Sequence, residues 1–229
     1  MDPQTAAAHL SSFTAYLTIA IHTLLHARGL YPPTSFLTTR AYDLPVWQSR
    51  HPAVCSWVRD AVAAVAVQLR AAAVRRLVFC VHASASASAS AAAAAAGHTR
   101  DVLERWVWDL AGFPDAAVEL EAEGHDAAWR DAAEAWRGAL LALEMRADTL
   151  PPPPSDSTFS LAIELKDQAH APTQHPRLWI PSEPHLQPSS GPGPAPGSTT
   201  VPVRSVQAGP LFFDCWLEQA PRRLPDDES

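Results

Sequence analysis

His22 and His26 stand four residues apart, the spacing that sets two metal ligands on one face of a helix. The zinc-protease pattern needs glutamate directly after the first histidine. Position 23 is threonine and no third ligand stands out, so the plainer reading is a half-exposed helix face. Cys55 beside His51 offers a thiol near a base, but its neighbours are apolar and it opens a helix, which favours a packed cysteine. The serines of 83–97 lie in a repetitive tract between His82 and His98, without the turn that exposes a nucleophilic serine. Gly191–Gly197 alternates with prolines where a phosphate loop needs backbone N–H donors. The acids of 119–126 read as the solvated approach to a helix. A small hydrolase is therefore the weakest rival, because no set of nucleophile, base and orienting group assembles.

The elements that would position any site follow from hydrophobic period. Leu10, Phe13, Leu17, Ile21 and Leu24 predict a helix over 4–28, stopped by Gly29 and then Pro32-Pro33. Residues 31–48 read as extended. A second helix opens at Pro52, with Val54, Trp57, Val58, Ala61, Val65 and Leu69 apolar. Residues 77–81 form a short buried strand. In 101–110, Val102, Glu104, Trp106, Trp108 and Leu110 share one face of a strand antiparallel to 77–81. A third helix spans 125–147, with Trp129, Ala133, Trp136, Leu140 and Leu143 as its stripe. Strands are expected at 157–165, near 177–180 and at 211–219. Helices and strands without βαβ alternation point to an α+β fold, three helices on one face of an antiparallel sheet.

Composition narrows the function classes. The chain has 229 residues, 47% of them hydrophobic, with 22 prolines, 9 glycines and a net charge of −7. That is enough apolar material for a core. The acidic balance argues against holding nucleic acid through its own phosphate contacts. Cys55, Cys80 and Cys215 are odd in number and unpaired by spacing, which suits a reducing compartment. The N-terminus lacks a basic region, and Arg59, Asp60, Arg70, Arg75 and Arg76 interrupt the longest apolar stretch, so a soluble intracellular protein is expected. The Ala/Ser tract 83–97 reads as an expanded hairpin tip, and 184–200 as a Pro/Ser/Gly linker. Trp57, Trp179 and Trp216 adjoin extended, proline-bearing segments, where tryptophan serves either the core or a platform for peptide.

The ordered segments 16–36, 41–62, 75–82, 101–110 and 158–165 resemble the HORMA domain, with Tyr31-Pro32, Phe36 and the run VLERW (102–106) shared across its branches. Tyr42-Asp43-Leu44-Pro45-Val46 followed by Ser49-Arg50-His51-Pro52 is similar to the branch that forms the non-catalytic accessory subunit of DNA polymerase zeta. The spindle-checkpoint branch typically has glycine after that tyrosine and lacks the second run. The resemblance implies a single HORMA domain over 1–220, a safety belt over 182–220 and a disordered tail over 221–229. It implies no catalysis and no cofactor. It implies instead a nuclear adaptor in translesion synthesis that traps a Pro-rich peptide of the polymerase catalytic subunit and bridges to a scaffold polymerase. By the same resemblance Trp57 and Trp179 line the peptide groove. Asp214 and Trp216 fall on the scaffold-facing sheet, where relatives carry an amide and a tyrosine, and Arg137 aligns with a residue of HORMA–HORMA pairing. A checkpoint or meiotic-axis adaptor is the rival within the fold.

Overall fold

The computed structural model describes residues 3–83, 102–113, 125–170, 172 and 198–220. In chain order they form α1 (Pro3–Ala27), β1 (Phe36–Ala41), β2 (Leu44–Ser49), α2 (Pro52–Arg70), β3 (Val74–His82), β4 (Val102–Asp109), α3 (His125–Asp148), β5 (Thr158–Leu165), β6 (Thr199–Ala208) and β7 (Leu211–Gln219). The three expected helices are present, and the α+β arrangement stands.

Period explains each helix, and local chemistry ends it. Phe13, Leu17, Ile21 and Leu24 of α1 are fully buried. Gly29, with φ +61°, follows its last turn; its N–H donates to the His26 carbonyl at 2.9 Å and that of Leu30 to Leu25 at 3.1 Å. This double closure is a Schellman motif with glycine in its left-handed seat. The end of α2 repeats the motif with the N–H groups of Ala72 and Ala73 on the carbonyls of Leu69 and Gln68, but here alanine takes the left-handed position, φ +52°. Leu140 and Leu143 of α3 are buried as expected, and Trp136 is 1% exposed.

Strands β3, β4, β5, β6 and β7 make one antiparallel sheet in the order β5-β3-β4-β7-β6. The inward side chains of β4, Glu104, Trp106 and Trp108, meet α1 and α3 as their alternation predicted. β7 adds Leu211, Phe213, Cys215 and Leu217 to the same core. At its centre Tyr16 stacks on Trp136 at 4.8 Å, Trp136 lies 6.0 Å from Phe213, and Trp108 donates its indole N–H to the Tyr16 hydroxyl at 3.2 Å. The C-terminal hairpin is thus integral to the core.

Two expectations change. Residues 31–48 are not simply extended: β1 and β2 pair from Phe36↔Ser49 to Ala41↔Leu44 around the two-residue turn Tyr42-Asp43, both with positive φ, 47° and 57°. A turn of this hand normally declares itself through Asn-Gly or Asp-Gly, and Tyr-Asp hides it. The linker expected over 184–200 ends earlier, since Thr199 and Thr200 already pair with Gln219 and Glu218. β6 escaped notice because it is an exposed edge strand with Pro202 inside it and a bulge between Pro202 and Arg204. The Ala/Ser tract beyond Ala83 and the strand expected near 177–180 lie outside the described residues.

Candidate protein-binding surfaces

The entry to α2 is built by the residues of the second sequence signature. His51 N–H donates to Ser49 Oγ at 3.2 Å, the Cys55 thiol donates to the Ser49 carbonyl at 3.0 Å, and Arg50 N–H donates to the Ser35 carbonyl at 2.7 Å. Pro52 then opens the helix where its missing N–H costs nothing. This entry fixes the rotation of α2, and with it Trp57.

Trp57 is half-buried and meets Phe159 of β5 edge-on at 4.9 Å, with 82° between the rings. Phe159 stacks on Phe79 at 5.5 Å, and Tyr31 approaches it from the α1 side at 6.2 Å. The aromatic group stands against an edge strand. β5 pairs with β3 on one side, and among the described residues its other side carries no ladder partner. An open strand edge is a template for a further strand. Sequence reasoning named Trp57 and missed Phe159 and Tyr31, which join it only through the fold. Trp179 lies outside the described residues.

Asp214 and Trp216 do share the sheet face turned away from the helices, but neither stands free. Asp214 accepts from the Ser205 hydroxyl and sits directly opposite Asp109 on β4. Trp216 belongs to a closed ring of side chains. Arg76 lies 5.3 Å over its indole, and Arg76 donates to Asp109 at 2.9 Å and to Glu164 at 3.4 Å. Glu164 accepts from Arg105 at 3.0 Å, Arg105 donates to Glu218 at 2.8 Å, and Glu218 accepts the Trp216 indole N–H at 2.9 Å. The ring roofs Val78 and Val107, each 1% exposed although among the described residues no helix covers this face. From the sequence Arg76 was read only as an interruption of an apolar stretch, and alternation on β4 placed Arg105 and Asp109 outward without showing what they meet. Beneath the ring, burial raises the Cys80 thiol to about 11, with Arg105 opposing the shift. At the margin His82 Nε2 lies 2.7 Å from Ser160 Oγ.

Arg137 on α3 pairs with Glu134 at 3.2 Å. One and two turns on, Leu141 and Met145 are exposed, Met145 by 68%. Helix spacing puts an arginine and two apolar side chains on neighbouring positions of the outer surface.

The histidine pair is engaged elsewhere. His22 takes the Ser49 N–H at Nδ1, 3.5 Å, while His26 stacks on Trp47 at 3.8 Å. Burial lowers the pKa of both, partly offset at His26 by Asp148. Among the described residues no group of three or more His, Cys, Asp or Glu could hold a metal ion, and no helix is long and apolar enough to cross a membrane.

No protein-family model matches the chain. It is 26% identical to the DNA polymerase zeta processivity subunit of Schizosaccharomyces pombe over 210 residues, 90% of this chain and 91% of that one. It is 28% identical to the mitotic spindle assembly checkpoint protein MAD2A of Dictyostelium discoideum over 97 residues, 42% of this chain and 41% of that one. Among solved structures, a chain of the mitotic checkpoint complex matches with a TM-score of 0.68 at 18% identity, covering 93% of this chain and 98% of its own. C. elegans HTP-2 bound to a HIM-3 closure motif matches with a TM-score of 0.62 at 10% identity, covering 93% and 91%. The chain thus has the fold of these HORMA structures, three helices with antiparallel sheets, and its similarity to the fission-yeast subunit runs over nine-tenths of its length.

Proposed function

We propose that the chain is a nuclear, non-enzymatic adaptor subunit of the translesion DNA polymerase zeta complex, and that it holds a Pro-rich peptide of the catalytic subunit along the free edge of β5. The observation that carries this reading is the placement of β5 and β6 at opposite edges of one sheet, with the intervening residues 166–198 joining them. Four inter-strand spacings separate the edges, about 19 Å, so a long connection is required. The same segment contains the prolines of 184–197 and Trp179. A peptide added to β5 beneath such a connection leaves only when the connection opens, so dissociation is slow. The fission-yeast processivity subunit, similar over nine-tenths of this chain, directs the reading to polymerase zeta, and the closure motif bound to HTP-2 directs it to peptide capture. In this account Trp57 and Trp179 contact the peptide, the face of Asp214 and Trp216 meets a scaffold polymerase, and Arg137 serves pairing with a second HORMA domain.

The high TM-score to the mitotic checkpoint complex chain favours a second reading, a checkpoint or meiotic-axis adaptor. Affinity capture of the full chain from extract of its own cells, with partners identified by mass spectrometry, separates the two. Recovery of a family B polymerase catalytic subunit supports the first; recovery of checkpoint or axis proteins without it overturns it.

A further inference from the structure

We propose that the groove between α1, β2 and α2 is a binding site for a carboxylate on a short aliphatic stem, read by His22, Gln48 and Arg59. The groove encloses about 310 Å³, at the low end of the ~300–1,000 Å³ usual for ligand sites. Trp57 lies on a different face of α2 from Cys55, Arg59 and Val62, so this site is separate from the β5 edge.

His22 is the central observation. It is 4% exposed, and it lines the groove. Because Ser49 N–H points at Nδ1, that nitrogen is the acceptor and the ring proton sits on Nε2. Among the described residues Nε2 has no hydrogen-bond partner and keeps contact with solvent, which leaves its N–H available to an acceptor entering the groove that His22 lines. A donor open to solvent bonds an ionised acceptor more strongly than a neutral one, which favours a carboxylate there. Other polar groups on the wall are already committed: the Thr14 and Thr18 hydroxyls donate to the carbonyls of Ser11 and Thr14, and the Cys55 thiol to that of Ser49. The donors left are the His22 N–H, the Gln48 amide and the Arg59 guanidinium. Among the described residues Arg59 is the one charged residue of the lining, which makes this wall of the groove cationic. Val62, Ala63 and Ala66 supply an apolar wall for a short stem.

Such a carboxylate is either a free short-chain acid or the side chain of a partner protein. Imidazole NMR of the full chain, titrated separately with glutarate and with N-acetylglutamate amide, distinguishes them. A saturable shift of the His22 ring signals by at least one of them, weakened roughly tenfold or more in Arg59→Ala, supports the site. Arg59 is exposed, and an unchanged backbone spectrum certifies that the variant is folded. Tighter binding of glutarate identifies a free acid, and tighter binding of the amide a partner's side chain. The proposal is overturned if neither compound gives saturation, if uncharged 1,5-pentanediol gives the same shift, or if Arg59→Ala binds as the wild type does.

Discussion

Arg28 and Glu104 face each other with both side chains buried, joined by contacts of 2.6, 3.0 and 3.1 Å. The same guanidinium donates to the carbonyls of Ala147 at 3.1 Å and Pro151 at 2.7 Å, and Glu104 also accepts the Trp106 indole N–H at 3.1 Å. One ion pair thereby ties the ends of α1 and α3 to the middle of the sheet. Removing one partner strands a buried charge, at a cost of about 3–5 kcal/mol, whereas an apolar pair of matching volume is often tolerated. In urea unfolding, Arg28→Met or Glu104→Leu alone should therefore cost more than the double variant does. A double variant whose loss equals the sum of the single losses would show the two residues to be uncoupled.

The two Schellman ends give a paired prediction. Ala72 occupies the left-handed seat that Gly29 fills at the end of α1. Ala72→Gly relieves the strain of a left-handed alanine against the greater chain entropy glycine carries when unfolded, for a net gain of about 0.5 kcal/mol. Gly29→Ala has open space for its Cβ but the wrong φ, and loses about 1 kcal/mol. Thermal midpoints should move in opposite directions.

On the outer face of the sheet, Asp109 and Asp214 are like charges on directly paired residues. Asp214→Asn keeps a hydrogen-bond acceptor for Ser205 and removes the repulsion, so stability should rise by about 0.2–1 kcal/mol, less at high salt. Trp216→Ala removes the platform under Arg76 and the donor to Glu218 and uncovers Val107, and should cost about 2 kcal/mol. Equilibrium unfolding at two salt concentrations checks both. A stabilisation that grows with salt contradicts the repulsion.

His26 stacks on Trp47 with its pKa lowered by burial, Asp148 acting weakly the other way. Glu144 is raised by burial and by Asp148, with Trp47 opposing the shift. For His26 the folded pKa lies below the unfolded value of about 6.5, so the unfolded chain binds more protons and stability falls as pH drops through that window. Glu144 acts oppositely, from near the carboxylate range upward. Between about pH 7 and 5.5 the histidines dominate, His22 acting in the same sense as His26, and His26→Phe, which preserves the stack, should remove part of the decline. An unchanged slope would place the proton uptake elsewhere.

The sequence showed the sheet and helices wherever burial is periodic: Trp106 and Trp108 on one face of β4, Leu140 and Leu143 on one stripe of α3. It concealed elements whose signal is not periodic burial. β1 and β2 turn on Tyr-Asp, and β6 is a polar edge with a proline. Trp57 was legible as an aromatic beside a proline-rich stretch. Its partners Phe159 and Tyr31 were not, since they join it through tertiary contacts between segments distant in sequence. The ring around Trp216 was hidden for the same reason, drawing on four strands far apart in sequence.

Peptide capture at the β5 edge is the central claim. Trp57→Ala or Trp179→Ala should weaken binding of the catalytic subunit's Pro-rich peptide by more than about 1 kcal/mol, as for interface anchors generally. The most direct measurement is amide hydrogen exchange across Thr158–Leu165 with and without that peptide. The amides of β5 directed away from β3 should exchange freely in the unbound protein and become protected when the peptide adds as a strand. Bound peptide with unchanged exchange along β5 would contradict it.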